Sequence, residues 1–303
     1  MTRRLGTISE CDARTKGTLV AALRAQAVDE AARRSTRPGG GVLHFEMSSR
    51  TPDLAPLARI ASEIAAEWGL ALEPPFALSA FSYVAPAGED AVLKVVPPGD
   101  DESDEEAEAL ELWDGDGAVR LLRRDRERRA LLLERVRPGN DISALPDDEA
   151  TAIAVSLGPK LWRPAAEPFR WIGDHVPRWL DSAERNPQRQ NGLLPLARKL
   201  YASLKPGRAT LVHGDFHHHN ILDAGDRHVA IDAKAMLGEP EFDVPSFLWN
   251  PISSRMRLDV TERRIAAFAA AGLDEERIRF WSVIRGAYLR SDGRAAEVLR
   301  QLV

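Results

Sequence analysis

Cysteine is almost absent from this sequence: Cys11 is the single cysteine among 303 residues. An internal disulfide and a cysteine-based zinc site are therefore excluded. No apolar run approaches the roughly 20 residues that a membrane-spanning helix needs. Residues 1–17 also lack the apolar segment of a secretory signal. The sequence predicts a cytoplasmic protein with no membrane partner.

An excess of basic charge is absent as well. The chain has 46 acidic residues against 41 Lys and Arg, and its basic residues form no extended stripe. Nucleic acid binding depends on such a positive surface, so we expect no nucleic acid partner. The hydrophobic fraction of 44% is typical of a chain that folds around a core. Nothing in the sequence indicates the oligomeric state.

Residues 1–41 end in STRPGGG, a pattern that predicts a flexible leader. Four short β-rich segments lie within residues 81–136, and an acidic helical stretch separates the second segment from the third. From about residue 147 the periodicity is mainly helical. We predict an α+β fold with two lobes, a small N-lobe of antiparallel sheet over residues 42–134 and a mainly helical C-lobe over residues 135–303.

The segment HGDFHHHNIL, residues 213–222, interrupts the helical half between the apolar runs TLV and VAI. In protein kinases the catalytic loop reads HRDLxxxN, in which the base Asp lies five residues before a metal-binding Asn. Asp215 and Asn220 have this offset, and Asp232 follows VAI in the position of the second metal ligand. We expect a hairpin between TLV and VAI to bring these three side chains together.

A kinase also needs a lysine that steadies the nucleotide phosphates. Lys94 lies among apolar residues in AVLKVV, and a buried lysine requires an anionic partner. We predict that Glu106, in the acidic helix, is this partner. Two alternatives stay open: Glu106 lies three residues after Ser103 and so also fits a capping box, and Glu105 or Glu108 is an alternative partner for the lysine.

Four of the seven histidines lie within residues 213–219. Adjacent histidines in a short loop point in different directions, which disfavours a zinc site built from imidazoles. We predict that His213 is structural and pins the loop by a hydrogen bond. For His217, a position near the transferred phosphate and a purely structural role both stay open. We assign no role to His218 and His219.

Six segments, taken in order, resemble the aminoglycoside and hydroxyurea phosphotransferases, the family that contains the streptomycin kinases. The segments are AVLKVVPP, EAEALELWDGDGAVRLL, ALLLERVRPG, LVHGDFHHHNIL, AIDAK and GEPEFDVPSFLWNP. The resemblance runs from about Phe76 to Pro251 and implies a protein-kinase-like fold. It also implies an antibiotic-resistance type of kinase that uses Mg²⁺ and ATP, with GTP as an alternative donor.

The resemblance further implies a reaction in which the γ-phosphate moves to a hydroxyl of a small molecule. Asp215 would be the catalytic base, and Asn220 and Asp232 would be the magnesium ligands. Lys94, paired with Glu106, would steady the phosphates of the nucleotide. Streptomycin is the leading acceptor, while hydroxyurea and an endogenous sugar-like metabolite stay open.

Three further expectations concern the surroundings of this centre. Backbone groups around Glu134 and Val136, where the lobes join, would bind the adenine edge. Asp243 would brace the catalytic loop rather than touch the substrate. A polycationic acceptor needs carboxylates around its pocket, and Glu239 and Glu241 are the candidates.

The sequence departs from the family pattern at three places. His219 replaces the glycine that usually precedes the loop asparagine, and Ala233 replaces the proline common after the metal-binding aspartate. Between Phe76 and Ala91 the only glycine is Gly88, so the glycine-rich phosphate loop of protein kinases is absent. Two rival hypotheses follow: a non-catalytic binding module, and a protein kinase, which the missing glycine-rich loop and the missing APE signature disfavour.

Overall fold

The computed structural model describes residues 54–76, 81–100, 103–186, 191–252, 255–289 and 293–303. The predicted leader, residues 1–41, lies outside them. None of the helices in these ranges is both long enough and apolar enough to cross a membrane. The described chain has an α+β architecture of two lobes.

A four-stranded antiparallel sheet and a helix form the smaller N-lobe. Its elements are α1 (Ala55–Trp68), β1 (Tyr83–Pro86), β2 (Ala91–Val95), β3 (Leu121–Asp125) and β4 (Ala130–Glu134). The strand order across the sheet is β1-β2-β4-β3. Helix α1 buries Leu57, Ala61 and Ile64, which recur every three or four residues, and it packs against β1 and β2. The helix ends at Gly69, whose left-handed conformation is common at helix ends.

The two faces of the sheet join different cores. In β4, Ala130 and Leu132 pack into the N-lobe core with α1, whereas Leu131 and Leu133 pack into the larger core of the C-lobe. This alternation follows from the two-residue period of a strand. Lys94 in β2 lies opposite Leu131, so its side chain is on the face that the larger core covers.

The acidic segment forms helix α2 (Glu106–Trp113). Its buried residues Ala109, Leu110 and Trp113 belong to the larger core, although α2 lies between β2 and β3 in the chain. The indole Nε1 of Trp113 donates a hydrogen bond of 2.9 Å to the carbonyl of Leu161. Helix α2 is therefore anchored to the C-lobe.

The capping box, the alternative interpretation of Glu106, is wrong. The helix begins at Glu106, and its N-cap residue is Glu105, which makes no side-chain cap. The hydroxyl of Ser103 instead donates to the carboxylate of Asp100 at 3.1 Å. The carboxylate of Glu106 is thus not engaged by Ser103.

Seven helices of the described chain form most of the larger C-lobe. They are α3 (Asp147–Leu161), α4 (Ile172–Arg185), α5 (Leu194–Leu204), α6 (Val244–Trp249), α7 (Leu258–Ala270), α8 (Glu275–Leu289) and α9 (Gly293–Arg300). Helix α8 contacts α4, α5, α6, α7 and α9. It is buried on most sides, as expected for a central helix that carries apolar residues around its circumference.

The expected hairpin between TLV and VAI does not form. TLV is strand β5 (Thr210–Val212), and VAI falls largely in strand β7 (His228–Ala230). Two further strands provide their partners: β6 (Ile221–Asp223) pairs with β7, and β8 (Met236–Gly238) pairs with β5, both antiparallel. The correction has a physical reason, because β6 follows the loop directly and is the nearest strand to which β7 can turn back.

Candidate active site

Two backbone hydrogen bonds join the loop that begins at His213 to residues on either side of Asp232. The carbonyl of His213 accepts from the amide of Lys234 at 2.8 Å, and the carbonyl of Asn220 accepts from the amide of Ile231 at 3.0 Å. These bonds hold the segment that follows β7 against both ends of the loop. Asp232 lies between the two bonded amides, so it is held beside the loop.

Asp215 is a buried carboxylate with basic neighbours on both of its oxygens. Its Oδ1 lies 3.6 Å from Nε2 of His217, and its Oδ2 lies 3.9 Å from Nζ of Lys234. The amide Nδ2 of Asn220 donates to the backbone carbonyl of Asp215 at 2.9 Å. Burial alone would raise the pKa of Asp215, but His217 and Lys234 outweigh it and hold the pKa well below its usual range. The carboxylate is therefore ionised at neutral pH.

Lys94 connects the N-lobe sheet to the segment after β7. Its Nζ donates to both oxygens of Glu106, each at 2.7 Å, and to Oδ1 of Asp232 at 2.6 Å. Lys94 and Glu106 are only 5% and 1% exposed, whereas the side chain of Asp232 is 52% exposed. The structure thus brings together three of the predicted site residues, and Glu106 is the helix carboxylate that reaches the lysine.

The charges of this cluster reinforce one another. Burial would lower the pKa of Lys94, but the carboxylates of Asp232 and Glu106 outweigh it and raise the pKa. The Lys94 ammonium in turn lowers the pKa of Asp232. At neutral pH the lysine is a cation and Asp232 is an anion.

The two alternative partners for Lys94 have partners of their own. Glu105 accepts from Arg170 at 2.7 and 3.0 Å, and Glu108 accepts from Arg124 at 2.9 Å. Each of these carboxylates faces a guanidinium on a different side of α2 from Glu106. The helical turn separates the three side chains, so only one of them points at β2.

The predicted magnesium ligands suit a hard cation by their chemistry. Since Nδ2 of Asn220 is bonded to the carbonyl of Asp215, the oxygen of the same amide points away from that bond. Asp232 offers a carboxylate that is half exposed. Within the described ranges no group of three or more His, Cys, Asp or Glu is arranged to hold a metal. One carboxylate plus substrate phosphates is a common way for proteins to bind Mg²⁺, so the residues present fit this ion.

Asp243 holds the backbone at the start of the loop. Its Oδ2 accepts from the amide of His213 at 2.8 Å, and its Oδ1 accepts from the amide of Gly214 at 2.7 Å. The indole of Trp162 adds a third hydrogen bond to Oδ2 at 2.9 Å. The carbonyl of Gly214 accepts from Arg285 at 2.8 Å. Gly214, the residue before Asp215, is therefore fixed at its amide and at its carbonyl.

Gly214 is required at its position by both conformation and space. Its φ is +80°, and a Cβ atom there would lie 2.1 Å from the carbonyl oxygen of Lys234. Only glycine adopts this region without strain, and no side chain fits against that backbone. The loop can therefore approach the segment after Asp232 as closely as it does.

His213 is fully buried and acts on the loop through both ring nitrogens. Its Nδ1 accepts from the amide of Asp215 at 3.3 Å, and its Nε2 lies 3.0 Å from the carbonyl of Ile231. Burial lowers the pKa of this ring, so it is neutral and carries its proton on Nε2. The ring also stacks on Trp113, with centroids 6.2 Å apart.

The other three histidines of the loop diverge. His217 faces Asp215, while its Nδ1 accepts from the amide of His219 at 3.2 Å. His218 stacks on Phe247 with centroids 4.0 Å apart, and burial lowers its pKa to about 2. Nδ1 of His219 lies 3.0 Å from Oδ2 of Asp141, and this hydrogen bond raises the pKa of the ring. The residue that replaces the usual glycine therefore pairs with Asp141 rather than with Asp215.

The predicted adenine-binding segment follows the last strand of the N-lobe. Glu134 ends β4, and its carboxylate accepts from the amide of Arg120 at 3.0 Å and lies 3.3 Å from Nη2 of Arg227. The side chain of Glu134 thus contacts other residues of the protein. Across the described ranges, the backbone amide of Val136 makes no hydrogen bond. The role of these backbone groups stays a prediction.

The expectation that Glu239 binds the acceptor requires correction. Glu239 is buried, and its carboxylate accepts from the indole of Trp281 at 2.6 Å, from the amide of Gly207 at 2.7 Å and from Arg277 at 2.6 and 2.9 Å. These donors engage both carboxylate oxygens. Neither oxygen is therefore available to bind the acceptor substrate. Glu241 accepts from the amide of Asp274 at 3.0 Å in an exposed position, and its role stays a prediction.

Comparison with known proteins identifies the family. The model of the family described as "Aminoglycoside/hydroxyurea antibiotic resistance kinase" matches residues 77–298. The chain belongs to this family. It is 33% identical over 245 residues to a hydroxyurea phosphotransferase of Kitasatospora aureofaciens, covering 74% of this chain and 69% of that protein. It is 32% identical over 222 residues to a streptomycin 3''-kinase of Klebsiella pneumoniae, covering 67% of this chain and 81% of that protein.

The fold of this kinase agrees with solved structures. An aminoglycoside-3'-phosphotransferase of type VIII superposes with a TM-score of 0.54 at 17% sequence identity, covering 77% of this chain and 99% of that chain. The predicted two-lobed, protein-kinase-like α+β fold is confirmed. Membership of the family also confirms that the protein is an enzyme of the phosphotransferase class.

Two basic residues of the kinase were not singled out from the sequence. Lys234 lies in the AIDAK segment, two residues after Asp232. This short distance from a predicted metal ligand could have marked it as a site residue. Arg285 contacts the carbonyl of Gly214 from 71 positions further along the chain. No local pattern marks such a residue, because only the packing of α8 brings it to the loop.

Proposed function

We propose that this kinase transfers the γ-phosphoryl group of ATP, in the presence of Mg²⁺, to a hydroxyl of an aminoglycoside of the streptomycin type. The observation that carries the proposal is the meeting of Lys94, from the N-lobe sheet, with Asp232 at 2.6 Å beside the loop that bears Asp215. Phosphoryl transfer is largely a problem of positioning and of charge, and these groups supply both.

The nucleotide would be held from two sides. Lys94, kept in place by Glu106, presents its ammonium to the phosphates. The backbone groups of Glu134 and Val136 would meet the adenine edge. GTP is retained as an alternative donor.

Asn220 and Asp232 would hold Mg²⁺ through their side-chain oxygens. When bound, the ion neutralises negative charge on the phosphates and fixes their orientation. Asp232 remains ionised because Lys94 lowers its pKa, so it is available as a ligand over the neutral pH range.

Asp215 would orient the acceptor hydroxyl and receive its proton. In the transfer, the bond between the acceptor oxygen and Pγ forms while the bond from Pγ to the β–γ bridging oxygen breaks. The proton of the hydroxyl passes to the carboxylate of Asp215, and the nucleoside diphosphate leaves with the electron pair. The fixed backbone of His213 and Gly214 keeps the carboxylate in register with both partners.

The choice of acceptor rests on the relatives. One matching relative is named a streptomycin 3''-kinase and two others are named streptomycin 6-kinases, which favours streptomycin. The hydroxyurea phosphotransferase, at 33% identity, supports hydroxyurea as the second candidate. The two acceptors differ in charge, since streptomycin is a polycation and hydroxyurea is neutral.

A transfer assay tests the proposal. The protein is incubated with Mg²⁺ and ATP labelled at the γ-phosphate, with GTP in a parallel series, and with streptomycin, other aminoglycosides, hydroxyurea or a neutral sugar. We expect label on streptomycin, and a rate that falls by a factor of about 10² to 10⁴ in Asp215→Asn, the range for loss of a general base. Asp226→Asn, which alters an exposed carboxylate, is the matched control and should keep the wild-type rate.

The outcomes are distinguishable. Label on hydroxyurea but not on streptomycin would replace the acceptor and keep the chemistry. Undiminished transfer by Asp215→Asn would overturn the assignment of the base. Binding of nucleotide without transfer to any acceptor would favour the non-catalytic binding module.

A further inference from the structure

Lys234 places a second ammonium group at the carboxylate of Asp215. Its Nζ lies 3.9 Å from Oδ2, while Nε2 of His217 lies 3.6 Å from Oδ1 on the other side. Both separations are longer than a hydrogen bond. The two basic groups therefore flank the carboxylate without saturating it, and the side chain of Lys234 is only 19% exposed.

The backbone of Lys234 fixes the place from which this side chain extends. Its amide donates to the carbonyl of His213 at 2.8 Å. Its carbonyl occupies the space that a side chain at Gly214 would need. The backbone from which the Lys234 ammonium extends is thus held against the loop that carries Asp215.

The balance of charge shows why a second cation matters here. Lys94 already contacts both oxygens of Glu106 and one oxygen of Asp232. A phosphoryl group that approaches Asp215 brings negative charge toward a negative carboxylate. Transition-state charge on the transferred group needs a cation at that point. Lys94 meets the phosphates beside Asp232, whereas Lys234 lies at Asp215.

We propose that Lys234 is a catalytic residue whose ammonium binds the equatorial oxygens of the transferred phosphoryl group. This inference rests on the proposed function. Lys234 keeps its proton throughout: the acceptor oxygen bonds to Pγ, the bond to the β–γ bridging oxygen breaks, and the hydroxyl proton goes to Asp215. The step needs no reactant beyond the nucleotide and the acceptor.

The test separates catalysis from folding and from nucleotide binding. Lys234→Met keeps the aliphatic length and removes the charge, and Lys234→Arg restores a cation. Lys199→Met, at an exposed lysine of α5, is the control. The measurements are kcat, KM for ATP and acceptor, and the melting temperature.

We expect kcat to fall at least about 100-fold in Lys234→Met, the effect of losing one preorganised electrostatic group. KM for ATP should stay within about twofold of wild type, because the interaction belongs to the transition state. Lys234→Arg should recover at least part of the lost kcat. A fall in kcat below about tenfold, or a loss confined to KM or to the melting temperature, would overturn the inference.

A binding experiment decides the same question without an acceptor. Mg·ADP with aluminium fluoride imitates the planar phosphoryl group, and its dissociation constant is compared with that of Mg·ADP alone. We expect aluminium fluoride to tighten binding in wild type and in Lys199→Met, and this gain to disappear in Lys234→Met. An equal gain in Lys234→Met would overturn the role of Lys234. Absence of transfer by the wild type would instead count against the proposed function.

Discussion

At the scale of single residues, one buried carboxylate sets the geometry of the catalytic loop. Asp243 is fully buried, and its two oxygens receive three N–H groups, two of them from the loop backbone. A buried carboxylate is costly unless donors compensate it, and here the donors are the groups that must be positioned. Arg285 then fixes the carbonyl of Gly214, so the peptide before Asp215 has little freedom.

The first prediction concerns Gly214→Ala. The substitution combines a left-handed backbone with a Cβ placed 2.1 Å from the carbonyl oxygen of Lys234. Conformational strain and overpacking together should lower the free energy of unfolding by roughly 3 kcal/mol or more. Urea denaturation measures this change, and kcat should fall as well because the loop must move.

Gly88→Ala is the matched control for this experiment. Its φ is +77°, close to that of Gly214, but no atom lies within 4 Å of the added Cβ. Only the conformational term remains, about 1 kcal/mol, and kcat should stay at the wild-type value. Equal destabilisation by the two substitutions would contradict the steric argument.

Sequence reasoning indicated which residues lie together where the signal is a spacing. It failed for residues whose surroundings come from distant parts of the chain. The interval between Asp215 and Asn220 is readable in the sequence, as is the position of Asp232 after a strand. Glu239 lies near that aspartate in the chain, but its surroundings include Trp281 from α8. Proximity in sequence to a site therefore did not reveal that its carboxylate is buried.

At the scale of elements, helix α2 is the part of the site that bridges the lobes. Its residue Glu106 reaches into the N-lobe to Lys94, while Trp113 at its other end bonds to the carbonyl of Leu161. The N-cap residue Glu105 is bound by Arg170, which precedes α4. Because both ends of the helix are tied to the C-lobe, the position of Glu106 depends on contacts outside the sheet.

The second prediction is that the pair of Arg170 and Glu105 contributes to activity through this helix. Arg170→Ala and Glu105→Gln should each lower kcat/KM for ATP several-fold, and the double variant should lose no more than the worse single variant. The coupling should be about 1 kcal/mol, at the upper end for a partly exposed pair. A double-mutant cycle on kcat/KM measures it.

Arg126→Ala is the control for this cycle. Arg126 contacts Glu108 on the same helix, but its side chain is 76% exposed, so its removal should change kcat/KM by a factor of about two or less. If it lowered kcat/KM as much as Arg170→Ala does, a general loss of helix stability would explain both results, and the specific tether would be refuted.

The strands β1, β2 and β4 of the N-lobe were predictable because each is a short, mainly apolar run between turn signals, and β3 follows the turn signal DGDG. The pairing of the C-lobe strands was not predictable from the sequence. Strand β6 has three residues, Ile221–Asp223, too few to show a period of two, and it was read as part of the loop. Without β6 the nearest partner for β7 was β5, and this produced the wrong hairpin.

At the scale of the whole molecule, the site lies where two cores meet. Leu93 and Leu132 belong to the N-lobe core, and their neighbours Lys94 and Leu131 face the other way. Alternation along the strands therefore delivers an ammonium group to the C-lobe side of the sheet. Its partner Asp232 follows β7 of the C-lobe, so the bond between them joins the two lobes.

The overall fold was predictable from the order of strands and helices, but the assignment of α2 to a core was not. The sequence places α2 within residues 42–134, whereas its Leu110 and Trp113 pack with the C-lobe. A boundary drawn along the chain cannot represent a helix that lies in the N-lobe part of the sequence but packs with the C-lobe core. The apolar residues of such a helix give no sign of which core they enter.

The third prediction follows from this joining of the lobes. A nucleotide that contacts both Lys94 and Asp232 through Mg²⁺ should stabilise the whole folded chain, since it binds the folded and not the unfolded state. At a concentration of 100 times its dissociation constant the gain is about 2.7 kcal/mol, or roughly 5 °C in melting temperature for a chain of this size. Thermal denaturation with a non-hydrolysable ATP analogue, with and without Mg²⁺, measures it.

Three variants show which residues carry this stabilisation. Asp232→Asn should lose the part that depends on Mg²⁺, because the proposed charged metal ligand is removed. Asp215→Asn should keep it, since we propose that this carboxylate serves the acceptor rather than the ion. Asp226→Asn should match the wild type. If Asp232→Asn kept the full dependence on Mg²⁺ while Asp215→Asn lost it, the two carboxylates would have exchanged roles. The link between the lobes would then run through the loop rather than through the segment after β7.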